Sequence, residues 1–271
     1  MTKISTWNVN SIRTRITHVT DWLQTNPVDV LCLQETKVVD ADFPHTPFEE
    51  IGYQAEIFGQ KAYNGVALIS KSPLTNVQAG FTPVLEAAGK SLDEATFFDE
   101  QKRVITGVTA SGLRVVNLYV PNGSSVGSEK YDYKLRWFRL LKQYMECLLA
   151  VKPKPILICG DFNIALEDRD IYKPEGREKH IMSTPVERES LRSILELGFA
   201  DVFRKFTAES GHYSWWDYRA ASFNRNMGWR IDHHYLTPEL YERATSCTID
   251  KAPRGLEKPS DHTPVTVEIS D

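Results

Sequence analysis

The chain has 271 residues, of which 41% are hydrophobic and 25% charged. This is the balance of an ordinary folded protein with a sizeable core, not of a disordered or collagen-like chain. Lys and Arg total 32 against 36 Asp and Glu, a formal net charge of -4, so any binding of a polyanion has to come from a local basic surface.

The chain opens on KISTWNVN, a strand pattern with no apolar leader before it, and no later run is long enough to cross a membrane. RITHVTDWLQT follows, with Ile16, Val19, Trp22 and Leu23 on one helical stripe. VDVLCLQETK, YQAEIF, GVALIS, RVITGV and RVVNLYVPNG are short apolar runs of strand length. The segment EKYDYKLRWFRLLKQYMECLLA predicts a long helix with Leu135, Phe138, Leu141 and Met145 on its buried side and the KPKP tetrapeptide as its stop. PILICGDFN is again a strand. In TPVERESLRSILELG, Thr184 is the expected N-cap, Pro185 the first helical residue and Glu187 the partner of a capping box, with the helix ending by Gly198. WRIDHHYL and SDHTPVTVEI complete the strands.

Helices interleave irregularly with the strands, unlike the regular alternation of a barrel or nucleotide-binding fold, and no linker or repeat divides the chain. One domain over residues 1–271 is expected. Cys32, Cys147, Cys159 and Cys247 have no metal-finger spacing, and the first three sit in apolar runs, so buried thiols in a reducing cytoplasm are expected.

Six of the apolar runs begin or end in polar residues, which together supply Asn8, Glu35, Tyr119, Asn122, Asp161, Asn163, Asp232, Asp261 and His262. Any one of these is an ordinary turn residue. Six such ends in one chain predict a shared pocket, because the ends of neighbouring strands converge on one rim. Carboxylate and amide oxygens without cysteine suit a hard cation such as Mg²⁺ acting beside an anionic substrate. His262 adds an imidazole for charge stabilisation or proton transfer, and the set describes metal-assisted hydrolysis of a phosphate ester.

In this order, WNVNSIR, LQETK, NLYVPNG, GDFNIA, GWRIDH and SDHTPV resemble the signature segments of the exonuclease III family of apurinic/apyrimidinic endonucleases, within the endonuclease/exonuclease/phosphatase superfamily. The resemblance runs from residue 4 to about residue 268. It implies an α/β fold, a four-layered sandwich of two packed mixed β-sheets flanked by helices. It also implies a Mg²⁺-dependent phosphodiesterase, with Mn²⁺ as a substitute, that cuts double-stranded DNA 5′ to abasic sites and trims blocked 3′ ends, with 3′→5′ exonuclease activity.

By the same resemblance Glu35 is the principal metal ligand, with Asn8 beside it and Asp261 a second ligand or its neighbour. Asp161 activates water, Asn163 holds a phosphate oxygen, Tyr119 and Asn122 contact the phosphate or leaving group, and Asp232 orients His262. Trp215, Trp229 and Ile231 match a pocket for a baseless sugar, and Asn226 matches a phosphate contact. Arg219 and Arg225 are candidates for the local positive surface. Two positions depart from the pattern: Asn10 stands where some members have Asp, and the loop GSSVGSEK lacks the arginine that some members place there. Other phosphoesterases and nonspecific nucleases of the superfamily share GDFN and SDH. A non-catalytic nucleic-acid-binding member would show those segments eroded, and here they are intact. No segment calls for a membrane or an obligate protein partner.

Overall fold

The structure, a computed structural model, describes residues 1–151 and 155–270. Strand β1 (Thr2–Asn8), helix α1 (Ile12–Thr25), β2 (Val30–Gln34), α2 (Thr46–Glu49), β3 (Gln54–Phe58) and β4 (Val66–Ser70) come first. Next are β5 (Thr75–Ala79), α3 (Thr82–Ala87), α4 (Asp93–Asp99), β6 (Val104–Val108), β7 (Arg114–Tyr119), α5 (Glu129–Ala150) and β8 (Ile156–Asp161). The chain then forms α6 (Pro185–Leu195), β9 (Ala200–Asp201), α7 (Phe203–Phe206), β10 (Asp232–Leu236), α8 (Pro238–Arg243), β11 (Ala244–Ile249) and β12 (Val265–Ile269).

Twelve strands make two six-stranded sheets, ordered β11-β12-β1-β2-β4-β3 and β5-β6-β7-β8-β10-β9. Each has one parallel pair at its centre, β1 with β2 and β7 with β8, and antiparallel strands outside. A parallel pair needs a long crossover. Helix α1 supplies it for the first sheet and α5 for the second, so the two halves repeat one plan.

Side-chain alternation explains the layering. Along β2, Val30 and Cys32 enter the core between the sheets while Leu31 and Leu33 pack under α1 with Val19, Trp22 and Leu23. Along β8, Leu157 and Cys159 face the other sheet and Ile156 and Ile158 face the helical layer. Both of these strands are therefore buried on both faces, which is why their runs read as continuously apolar. Two packed sheets with helices outside make the expected four-layered α/β sandwich.

The capping box of α6 is formed: Thr184 Oγ1 accepts from the Glu187 amide at 3.2 Å, and Glu187 Oε2 accepts from the Thr184 amide at 3.1 Å. Helix α5 buries Phe138, Leu141 and Met145 of its expected stripe and departs from it at Leu135. Leu135 is only partly buried, and the buried side runs through Lys134, Trp137, Phe138, Leu141, Tyr144, Met145 and Leu148. The reason is a charged anchor: Lys134 enters the core because Glu187 of α6 meets its ammonium at 2.5 Å. Of the KPKP stop, residues 152–154 lie outside the described residues; the helix ends at Ala150.

Candidate active site

The core between the sheets turns polar at one end. Alternation carries Ile4, Thr6 and Asn8 of β1 onto the inter-sheet face, and likewise Val115, Asn117 and Tyr119 of β7 and Leu157, Cys159 and Asp161 of β8. The first polar layer stitches the sheets together. Gln34 Nε2 donates to Thr6 Oγ1 at 2.9 Å and across the gap to Asn117 Oδ1 at 2.7 Å, and Asn117 Nδ2 donates to the carbonyls of Leu33 and Ala67 at 2.9 Å each. Above this layer lies the site.

Register fixes its arrangement. Asp161 pairs with Tyr119 on one side and Asp232 on the other, and Asn8 with Gln34. Glu35, Asn163, Asn10 and Lys37 adopt φ of 52°, 48°, 45° and 55°, the left-handed conformation that turns a chain sharply at its strand end. Gly160 has φ 144° and lies against the Leu118 carbonyl where no Cβ fits, so β8 can approach β7 closely just before Asp161.

One amide joins the two carboxylate centres. Asn8 Nδ2 donates to Glu35 Oε1 and to Asp161 Oδ2, each at 2.9 Å. Tyr119 Oη donates to Glu35 Oε1 at 2.9 Å. Asp161 Oδ1 accepts the Asn163 amide at 2.9 Å. Asn163 Nδ2 is shared between the Val120 carbonyl at 2.9 Å and Asp161 Oδ2 at 3.3 Å, and Asn122 Nδ2 donates to Asn163 Oδ1 at 3.0 Å. His262 stands between two carboxylates, with Nδ1 at 2.9 Å from Asp232 Oδ2 and Nε2 at 3.7 Å from Asp161 Oδ2.

These contacts set the protonation states. Burial pushes the Asp161 carboxyl up to about 7, against the pull of His262 and with Asp232 adding to the rise. His262 moves the other way: burial opposes its charge, but Asp232 and Asp161 outweigh burial and hold the imidazolium up to about 10. The protonated imidazole carries a proton on Nδ1, which it donates to Asp232. Burial raises Glu35, yet Lys37 and the donors Asn8 and Tyr119 leave it below its ordinary value. Tyr119 is pushed well above its usual value by burial and by Glu35, so it remains a hydroxyl donor.

The donor set suits a hard cation. Lys37 Nζ lies 2.8 Å from Glu35 Oε2 and 2.5 Å from Asn10 Oδ1, so a positive charge already sits on these oxygens. Asn10 Nδ2 then donates to Asp261 Oδ1 at 3.1 Å, while Trp215 Nε1 holds Asp261 Oδ2 at 3.0 Å. Glu35 and Asp261 are thus linked through Lys37 and Asn10. Asp161, Asp232 and His262 also bring ligand atoms within 4.8 Å of one another. That group is already committed internally: both Asp232 oxygens face His262 Nδ1, and one also accepts from Ser214 Oγ at 2.6 Å. It forms a hydrogen-bonded relay, and Glu35 and Asp261, whose oxygens accept from Asn8, Tyr119, Lys37, Asn10 and Trp215, form a second group of oxygens that could hold a cation.

The tryptophans have different surroundings. Trp215 and Trp229 exchange backbone hydrogen bonds at 2.9 and 3.0 Å, and Trp215 also bridges to His262. Both are half-buried, against Ala165, Ile171, Met182 and the fully buried Ile231. Together they form an aromatic wall beside the relay. Trp216 is core, with no exposure, and its ring packs edge-on to Phe223. Asn226 stands apart from the cluster: its amide donates to the Gly211 carbonyl at 3.1 Å and its oxygen accepts from Trp216 Nε1 at 3.3 Å, so it supports the tryptophan loop. Arg219 is exposed and clamped on Asp217 at 2.6 Å, and Arg225 is exposed.

Ser214, Lys37 and Arg230 support the site without having been expected there, although Lys37 ends the LQETK segment and Arg230 lies in GWRIDH. Ser214 Oγ accepts the amides of Ile231 and Asp232 at 3.1 Å each while donating to Asp232. Arg230 is buried and forked onto Asp170 at 2.7 Å and Asp201 at 2.6 Å, which pins the Trp229 segment from behind. An arginine between Trp229 and Ile231, two apolar residues just before strand β10, is the signal that announces such a buried ion pair.

A carboxylate–amide cluster that could hold a cation, beside a carboxylate–imidazole relay at one end of two packed sheets, has the donor chemistry of a hydrolytic phosphoesterase centre. The chain belongs to the Endonuclease/Exonuclease/phosphatase family, whose sequence profile matches residues 5–262. It is 35% identical over 278 residues to exodeoxyribonuclease III of Haemophilus influenzae, covering 98% of this chain and 99% of that one. It is 33% identical over 274 residues to the DNA repair nuclease APEX1 of Danio rerio, covering 99% and 82%. Among solved structures, an AP endonuclease from Archaeoglobus fulgidus matches all of both chains with a TM-score of 0.91 at 38% identity. A 3′ phosphatase, NExo from Neisseria, bound to a product DNA hairpin, does so with 0.92 at 36%.

Proposed function

We propose that this protein is a Mg²⁺-dependent DNA-repair phosphodiesterase that incises duplex DNA 5′ to abasic sites and processes 3′ ends, the whole chain acting as one domain. The observation that carries this reading is the Asn8 amide bonded at 2.9 Å to both Glu35 and Asp161, which couples a cation site to a buried base.

Asp161, raised to about 7, is poised near neutrality to take a proton from water, the condition for an efficient general base. Asn8 and the Asn163 amide hold its carboxylate in place. As the water oxygen bonds to phosphorus and the bond to the leaving oxygen breaks, negative charge grows on the non-bridging oxygens. His262 stays protonated, turned towards that charge by Asp232, and donates to it. Tyr119 and Asn122 contact the phosphate or the departing oxygen. Glu35 and Asp261, with Asn8, would hold the cation, which would polarise the phosphate and neutralise its charge. Trp215, Trp229 and Ile231 receive a sugar without a base and leave no room for one, and an unpaired lesion is also the cheapest to extrude.

Among the described residues no helix is long and apolar enough to cross a membrane, and all four cysteines are free and buried. The free, buried thiols are the feature that suits a reducing cytoplasm. The test is incision of an abasic duplex with Mg²⁺, with Mn²⁺ and with chelator, using Asp161→Asn as control. Incision that needs the metal and falls by at least about hundredfold in Asp161→Asn is expected, because an amide cannot take up the water proton. Equal incision in chelator, or a tenth of the rate surviving in the variant, would refute the assignment.

A further inference from the structure

Tyr119 and Asn122 face a second space. Between the β3–β4 loop and the start of α5 runs a groove of about 650 Å³, lined by Gln60, Tyr63, Gln101, Arg103 and Lys130 and reaching the site at Tyr119 and Asn122. Sheet order puts it on the β6–β7 side of Asp161, whereas Trp215 and Trp229 stand on the β10 side. A phosphodiester joins two nucleosides. If one occupies the aromatic wall, the other leaves the scissile phosphate towards this groove.

The lining reports which form of nucleotide it suits. Tyr63 is 70% exposed at the mouth, an aromatic face with nothing stacked on it. Asn64 Nδ2 donates to Gln60 Oε1 at 2.8 Å and to Gln101 Oε1 at 2.9 Å, which leaves the Nε2 groups of both glutamines without a hydrogen bond among the described residues. These are donors for the oxygen and ring-nitrogen acceptors of a base. Arg103 lies over the Tyr119 ring at 4.6 Å and donates to the Tyr119 carbonyl at 3.2 Å, and with the exposed Lys130 it gives the groove positive charge for a backbone phosphate. A base inside a duplex has both faces covered by its neighbours and its pairing edge occupied. A free aromatic face beside uncommitted amide donors serves a base that has left its partner, since any base can stack on an aromatic ring.

Resting on the function proposed above, we infer that this groove is a subsite for the nucleotide on the other side of the scissile phosphate from the aromatic wall, bound with its base unpaired on Tyr63. The enzyme would then favour lesions whose neighbour is mismatched or frayed. The test uses the full chain and two abasic duplexes that differ only in whether that neighbouring base is paired or mismatched, with kcat/KM measured for each. Wild type should prefer the mismatched neighbour by about tenfold, the scale of one stacked base. Tyr63→Ala should abolish the preference while keeping the paired substrate within about twofold, and Tyr63→Phe should retain it. Absence of a preference in wild type, or an equal loss on both substrates in Tyr63→Ala, would overturn the subsite but leave the function standing. Failure of wild type to cut either duplex would remove both.

Discussion

Asp161 and Trp229 show how one site divides its labour among residues. Asp161 has its oxygens fixed by Asn8 and by the Asn163 amide at 2.9 Å each, so in the proposed mechanism its weight falls on the chemical step. Trp229 is half-buried against Ile231 and touches no titrating group, so its weight should fall on selection. Trp229→Ala is expected to narrow the ratio of incision rates on abasic and intact duplex and to lose less stability than a fully buried tryptophan. Trp216→Ala supplies the contrast. Its ring has no exposure, so truncation should cost about 3–5 kcal/mol and lower activity on both substrates in proportion to the folded fraction. Thermal unfolding measured beside the two rates decides the matter: a large stability loss with an unchanged ratio in Trp229→Ala would make that residue core as well.

At the scale of elements, α5 and α6 support the loops after β7 and β8. Lys134 Nζ donates to the Asn163 carbonyl at 2.8 Å and the Asn122 carbonyl at 3.3 Å while pairing with Glu187 at 2.5 Å, and neither charged side chain has any exposure. Removing one partner strands the other charge in the core, so Lys134→Met should cost about 3–5 kcal/mol. Adding Glu187→Gln should recover part of the loss in denaturant titrations. A single variant within about 1 kcal/mol of wild type would show the pair to be dispensable.

The same pair marks where the sequence stops being readable. Thr184 and Glu187 announce a capping box within four residues, and it forms. The second role of Glu187 depends on a helix more than fifty residues earlier, and a stripe of apolar residues cannot show that Lys134 belongs inside; hence Phe138, Leu141 and Met145 are buried as expected and Leu135 is displaced by Lys134. The nine strands evident in the sequence are apolar runs. β5, β9 and β11 are edge strands that bury one face or less, and their polar residues hide them. The site was legible because alternation delivers Asn8, Tyr119, Asp161 and Asp232 to one face at strand ends. Ser214 was not, since only the packed structure brings it to Asp232, and Lys37, though two residues after Glu35, turns back onto it only through the left-handed backbone at the strand end.

The whole molecule balances buried groups that titrate in opposite directions. Burial holds His233 down to about 4 and His234 down to about 3, so both are neutral in the folded chain where the unfolded chain would charge them near 6.5. As pH falls from about 6.5 the unfolded state binds more protons at both histidines, and stability drops until about pH 4. Asp161 opposes this trend: raised to about 7 from 3.8, it binds a proton in the folded state and gains stability on acidification over much of the same window, but it is one group against two. Above pH 6.5 the dominant group is His262, raised to about 10. Its contribution is complete below its unfolded value near 6.5 and fades as pH climbs towards 10. Metal-free protein in chelator should therefore show a melting temperature that peaks near pH 6–7 and declines on both sides. His234→Leu, which removes a depressed histidine from the core and leaves the relay untouched, should flatten the acid limb while the alkaline limb keeps its slope. An acid limb as steep in His234→Leu as in wild type would locate the acid-sensitive group elsewhere.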